Sequence, residues 1–340
     1  MSNLVVATEW RHAGNRRLEA VKACERPDLD ALAELVRTFL AYRGRAGSRT
    51  SPATLRTYRK GLERWVAWCW PDLEVSPDVP LLRATEDDVE RFIAEVLATR
   101  SHSTAAVYRS AVRRFYDALQ WAGALATNPA ELVRVPADPT PRHERRPAMP
   151  VSWFRRVLAE ASLVDHARSR RDVLLLHLLG SQGLRVSEAV ALQLADLDLN
   201  GKRIHVRRGK GSKARTIPMT AHTRHALMSW RAARAALPRT PEVLVNVGTA
   251  VPERWLGRRM TDTTARRVLN ALYRRAGVPE RYHGAHTLRH TSGTRLYRAT
   301  RDLHRVSQLL GHSHVDTSSI YAKMDDSGLE EAMALLDDDL

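Results

Sequence analysis

The sequence predicts a mainly α-helical protein of two domains, interrupted once by a small antiparallel β-sheet. Three observations carry that expectation. Apolar residues recur at helical spacing through most of the 340 residues. One stretch, 196–219, instead alternates apolar and polar residues around Asn200-Gly201 and Gly209-Lys210-Gly211. The prolines Pro136, Pro139, Pro141, Pro147 and Pro150 separate two helical halves.

Residues 1–26 form an N-terminal extension with room for a helix and no assignable role. The first domain, 27–135, carries four amphipathic helices. Leu29, Leu32, Leu35, Val36, Phe39 and Leu40 share one face of the first. Ser51-Pro52 opens the second, with proline at the first helical position. Its apolar face is Leu55, Tyr58, Leu62, Trp65 and Val66, opposite Arg56, Arg59, Lys60 and Arg64. Thr85 and Asp88 make a capping box, with Asp for Glu or Gln, ahead of Val89, Phe92, Ile93, Val96 and Leu97. The fourth helix carries Val107, Tyr108, Ala111, Val112, Phe115 and Leu119, with Arg109, Arg113 and Arg114 outside, and the domain closes near Asn128-Pro129.

Proline removes a donor and fixes φ, so 136–150 reads as an extended linker, with Arg142, Arg145 and Arg146 among its prolines. In the second domain, 151–324, the nearly wholly apolar run from Val173 to Leu179 is a core helix. Strands follow at Leu197-Asp198-Leu199, Ile204-His205-Val206 and Thr216-Ile217-Pro218; Asn-Gly between the first two is a hairpin signal. Helices resume near Thr220, after Asp262 and after Thr287. An acidic tail, 325–340, closes the chain with a short helical stripe of Leu329, Ala332, Met333 and Leu336.

The formal charge is +16, and Asp325, Asp326, Glu330, Glu331, Asp337, Asp338 and Asp339 concentrate acid in the tail, so the rest is more basic still. A positive excess of this size favours a polyanionic partner. Any single surface arginine is accounted for by solvation alone. As a set, Arg56, Arg59, Lys60, Arg64, Arg109, Arg113, Arg114, Arg142, Arg145 and Arg146 suit phosphate contact. Cys24 and Cys69 are the only cysteines, which excludes a disulfide framework and a thiolate metal centre. With no apolar run long enough for a bilayer and no signal-peptide pattern at Met1, the expected location is cytoplasmic, with direct access to the chromosome in a prokaryote. There is no Walker A loop and no dinucleotide fingerprint.

The chemistry concentrates in His286-Thr287-Leu288-Arg289-His290, Leu309-Leu310-Gly311-His312-Ser313 and Ile320-Tyr321. His286 and Arg289, three apart, share a helical face. Attack on a phosphodiester needs fixed cations at the non-bridging oxygens, an activated nucleophile and a proton for the leaving oxygen. Arg185 and Arg289 offer planar forks that stay charged, and Glu188, one helical turn from Arg185, can hold it. Tyr321 is the candidate nucleophile. A free phenol titrates near pH 10, so it needs a base or a strong positive potential.

With Gly183-Leu184-Arg185-Val186-Ser187-Glu188 and Arg208-Gly209-Lys210-Gly211-Ser212-Lys213 upstream, the chain from about Asp28 to Tyr321 resembles a tyrosine recombinase of the phage-integrase and Xer type. The resemblance implies a helical, SAM-like core-binding domain and an α+β catalytic domain, with a linker that lets the two clamp opposite sides of a duplex. It implies catalytic roles for Arg185, Lys210, His286, Arg289, His312 and Tyr321, with Tyr321 carrying the 3′-phospho-DNA intermediate. His286 would be the base, and His312 would donate to the scissile phosphate. Lys210 would be the leaving-group acid, with Lys202 and Lys213 as competitors, and His290 would pack beneath Arg289. The implied partners are double-stranded DNA on two sites, a homo- or hetero-tetramer joined through a Holliday junction, and accessory proteins. No cofactor, metal or membrane is implied. The tail would either dock on a neighbouring subunit or fray. Thr291-Ser292-Gly293-Thr294 departs from the family pattern, which commonly has a bulkier aromatic there. Two alternatives stand beside this: a catalytically silent DNA-binding protein of the same fold, and a zinc hydrolase using His283, His286 and His290. The intact motif set argues against the first. The lack of His-Glu-x-x-His and the adjacent Arg289 argue against the second.

Overall fold

The computed structural model describes residues 10, 12–44, 47–72, 74–141, 147–207, 214–248 and 251–311. The chain divides into two compact units, Met1–Pro139 and Thr140–Leu340.

The first unit holds α1 (Ala13–Glu25), α2 (Leu29–Arg43), α3 (Pro52–Cys69), α4 (Glu86–Thr99) and α5 (His102–Ala122). The sequence signals act where they were expected. Asp28 Oδ1 accepts the amides of Asp30 and Ala31 at the start of α2, each at 3.0 Å. Ser51 caps α3 and both halves of the Thr85–Asp88 box form at α4. The core joins Leu32, Leu35, Leu62, Val89, Phe92, Phe115 and Leu119 around Trp65 and Tyr116. Burying one large side chain of this kind is worth about 1.5–3 kcal/mol. The two polar rings bury without loss because Trp65 Nε1 donates to Tyr116 Oη, which donates to the Leu81 carbonyl. The helix α1 belongs to this core: Ala20, Ala23 and Cys24 are buried, and the Arg16 guanidinium lies 4.1 Å from the Trp121 ring centre. Its low amphipathicity is why residues before Pro27 had no readable role.

The second unit holds α6 (Val151–Ala161), α7 (Ala167–Gly180), α8 (Val186–Ala191), β1 (Leu197–Asp198), β2 (Arg203–Val206), β3 (Arg215–Pro218), α9 (Ala221–Arg234), α10 (Asp262–Arg275), α11 (Ala285–Thr300) and α12 (Leu303–Leu310). The apolar run on α7 is the hub; Leu174 to Leu179 are buried and the helix packs against α6, α9 and α11. The sheet order is β1-β2-β3, all antiparallel, with Leu197 opposite Ile204 and Ile204 opposite Ile217.

One local expectation holds and one changes. The hairpin turn marked by Asn200-Gly201 forms: the β1–β2 connection spans 199–202, with the left-handed residue at Lys202 (φ 53°). Gly201 lies against the Asp198 carboxylate: its amide donates to Asp198 Oδ1 at 2.7 Å, and a Cβ there would stand 2.1 Å from Oδ2, so the carboxylate would have to move. The helix α11 begins at Ala285, not after Thr287, so His286 lies in its first turn. Among the described residues no helix is long and apolar enough to cross a membrane.

Candidate active site

Glu188 is the node of the site. Arg185 precedes α8 as its N-cap residue, and the Glu188 carboxylate folds back to accept the Arg185 amide at 3.0 Å. That contact brings the carboxylate beneath the Arg185 side chain, whose Nη1 donates to Glu188 Oε1 at 2.8 Å. Arg215, the first residue of β3, donates from Nη1 to Oε1 at 3.2 Å and from Nη2 to Oε2 at 2.9 Å. Arg289 of α11 brings Nη1 to 3.8 Å from Oε2. Three guanidinium groups thus surround one carboxylate, leaving an excess of two positive charges.

The same arginines hold the backbone. Arg289 is buried and donates from Nη1 to the Gly183 carbonyl at 2.6 Å and from Nη2 to the Leu310 carbonyl. Arg215 Nε donates to the Leu309 carbonyl at 2.9 Å. The Leu309 and Leu310 carbonyls end α12, where helical partners run out. Gly311 then leaves the helix at φ 63°, a conformation open to glycine at little cost.

Burial alone would push the Glu188 carboxyl up. The Arg215 hydrogen bonds, the Arg185 amide and the charges of Arg215 and Arg289 outweigh it and bring it down to about 2. A carboxylate depressed from 4.5 stabilises the fold above that pH and loses its contribution as pH falls toward about 2. The full titration is worth about 3 kcal/mol. Denaturation of the wild type should therefore show stability falling between pH 4.5 and about 2, and Glu188→Gln should lack that component while starting lower at neutral pH.

His286 is exposed, one turn before the buried Arg289 on the same helix. His290 lies buried beyond it, its Nδ1 3.4 Å from Thr294 Oγ1, and burial pushes its pKa down. The small residues at 291–294 are not a packing defect. Thr291 Oγ1 accepts the Met149 amide at 2.8 Å and donates to the Thr287 carbonyl at 2.9 Å; Ser292 Oγ donates to the Ser181 carbonyl at 3.2 Å. Hydroxyl contacts tie α11 to the segment before α6 and to the turn before Gly183.

Lys210, His312 and Tyr321 lie outside the described residues, as do Arg142, Arg145, Arg146 and the acidic tail. In the first unit Arg56, Lys60 and Arg64 are exposed on α3. Arg59 pairs with Asp30 at 2.7 Å and Glu63 at 3.0 Å, and Arg114 with Asp117 at 2.8 Å. Arg113 is half-buried, 3.9 Å from Glu131. Arg109 does not stand outward as its helical position implied. It is half-buried and donates to the carbonyls of Val133 at 2.7 Å and Glu131 at 3.2 Å, because its fork satisfies a loop that has no ladder of its own.

A model of the phage integrase family matches residues 156–327, the stretch that contains Arg185, Glu188, His286 and Arg289, and a model of the phage integrase N-terminal SAM-like domain matches 45–123. The chain belongs to the phage integrase family. This phage integrase relative is 32% identical over 283 residues to the tyrosine recombinase XerC of Chromohalobacter salexigens, covering 83% of this chain and 89% of that one. It is 33% identical over 282 residues to XerC of Thermodesulfovibrio yellowstonii, covering 81% and 87%. It is therefore an enzyme of the tyrosine recombinase type. Its fold is similar to that of the XerH site-specific recombinase bound to palindromic difH substrate in a post-cleavage complex (TM-score 0.68, 19% identity, 96% and 97% covered). A lambda integrase dimer bound to a COC′ core site is also similar in fold (TM-score 0.64, 18% identity, 89% and 80% covered).

The zinc reading finds no support in this phage integrase. Among the described residues no three His, Cys, Asp or Glu side chains gather as a metal site. His283 is stacked on Tyr273 with ring centres 5.2 Å apart, and its Nε2 lies 2.8 Å from the Val278 carbonyl. Arg215 is the residue that sequence reasoning missed. Nothing in Lys213-Ala214-Arg215 separates it from the neighbouring cations in the sequence; only its bidentate seat on Glu188 does.

Proposed function

We propose that this protein is a site-specific recombinase of double-stranded DNA that cuts and rejoins strands through a 3′-phosphotyrosyl intermediate. The observation that carries the reading is the cluster of Arg185, Arg215 and Arg289 on one buried carboxylate. A fixed excess of positive charge is what a pentacoordinate phosphorane requires. In this reading Arg185 and Arg289 hold the non-bridging oxygens and His286 takes the phenolic proton. Tyr321 Oη forms a bond to phosphorus as the bond to the 5′ oxygen breaks. Lys210 protonates that oxygen, and His312 donates to the phosphate. A 5′-hydroxyl from a partner strand reverses the step, so the phosphoester bond is conserved and no nucleotide is consumed. Exchange between two duplexes calls for four protomers on a Holliday junction.

Residues 27–135 would bind DNA, with Arg56, Lys60 and Arg64 as direct phosphate contacts and Arg59, Arg113 and Arg114 exchanging carboxylates for phosphates. Residues 136–150 would be the linker, 151–324 the catalytic domain and 325–340 a docking tail. The cytoplasmic nucleoid is the matching location.

The test is to incubate the protein with genomic fragments nicked beside random positions, denature, recover covalent adducts and sequence their DNA. One enriched sequence, trapped equally well in EDTA, is expected. Absence of adducts, or their loss in EDTA, would refute the proposal.

A further inference from the structure

We propose that Arg215 is a positioning residue of the phosphate clamp: it sets Glu188, and through it Arg185 and Arg289, without touching the phosphate. The inference rests on the recombinase reading above. Three observations support it. Each of its three nitrogens has a partner: Nη1 and Nη2 donate to the two oxygens of Glu188 and Nε to the Leu309 carbonyl. Its side chain is 8% exposed, against 37% for Arg185, and both of its terminal nitrogens sit on Glu188, whereas those of the buried Arg289 donate to backbone carbonyls.

The third observation is what it joins. Arg215 opens β3, five residues after Lys210 in the sequence. Glu188 sits in α8, which Arg185 begins. Leu309 is in the last turn of α12, two residues before Gly311 and the chain that leads to His312 and Tyr321. One planar fork therefore joins β3, α8 and α12, the described elements that stand nearest in sequence to the proposed acid, the first clamp arginine and the nucleophile. Gly311 rests on it: a Cβ at that position would lie 2.8 Å from Arg215 Nη1 and 3.0 Å from its Cδ. A lysine cannot reproduce this, since one ammonium cannot span both carboxylate oxygens and the carbonyl in a fixed plane.

A general loss of stability would slow every substrate alike. A disturbed charge clamp would not, because it matters only where negative charge accumulates on the non-bridging oxygens. The experiment therefore compares two nicked duplexes carrying the site recovered by trapping. One has a natural scissile phosphate; the other has a neutral methylphosphonate there. On the natural phosphate, Arg215→Gln should cleave about 100-fold more slowly than wild type while binding DNA within about threefold. On the methylphosphonate its deficit should shrink to under about tenfold, and Arg215→Lys should fall between wild type and Arg215→Gln on the natural phosphate. If Arg215→Gln fails to fold, Arg215→Lys carries the same comparison. Equal deficits on the two substrates would overturn the proposal and leave Arg215 a fold residue. Wild type that forms no adduct on either substrate would overturn the recombinase reading and this inference together; wild type that does, with equal variant deficits, overturns this inference alone.

Discussion

Tyr321→Phe should form no covalent adduct with DNA while binding it as tightly as wild type at equal salt. The variant loses one oxygen and nothing else, and that oxygen is the atom proposed to bond to phosphorus. With about one phenol in a thousand ionised at neutral pH, the reaction already depends on a base and the arginine field to raise reactivity. Without the oxygen there is nothing to activate, so adducts on a denaturing gel should fall below detection, a loss of at least about 10⁴-fold. Binding rests on many phosphate contacts and should hardly change. Other tyrosines are poor substitutes: burial pushes Tyr116 and Tyr273 well above the usual phenol range, which leaves them neutral and out of reach of a duplex. An adduct persisting in Tyr321→Phe would move the nucleophile elsewhere.

Arg289→Ala should impair both catalysis and the fold. Its guanidinium lies buried beside Glu188, so removal leaves the Gly183 and Leu310 carbonyls short of a donor and lowers the compensation of the carboxylate. Unsatisfied buried groups cost about 1–3 kcal/mol each, which makes a total near 2–4 kcal/mol reasonable in urea titrations. Loss of one charged donor at the phosphorane should slow single-turnover cleavage by about 10²–10³-fold on top of that. Arg289→Lys should recover part of the stability and little of the rate, because an ammonium keeps the charge but not the fork. Cleavage at the wild-type rate by folded Arg289→Ala would make the residue structural alone.

The helices α2 to α5 were legible because each writes its period and its caps locally: Ser51, Thr85 and Ser101 all act as caps through side-chain contacts a few residues long. The partnership of Arg185 with Glu188 was legible for the same reason, since one helical turn separates them. Where spacing was a weaker guide, details shifted. Asn200-Gly201 correctly marked a hairpin, yet the strained residue is Lys202, because the Asp198 side chain claims the Gly201 amide. Arg109 was assigned outward by its helical phase, but a long flexible stem let its head turn back to the carbonyls of Glu131 and Val133.

By itself the sequence determined the family, the helical domains around one small sheet, and the candidate side chains for phosphoryl transfer. Those properties depend on residue type and on separations of a turn or less. Only the tertiary structure decided that Arg215 shares Glu188 with Arg185 and Arg289, and that two of these arginines grip the end of α12. Arg215 lies 27 residues from Glu188 and 94 from Leu309 along the chain. Charges that far apart meet only when a buried carboxylate, costly to leave unpaired, selects its partners from whatever the packed strands and helices deliver.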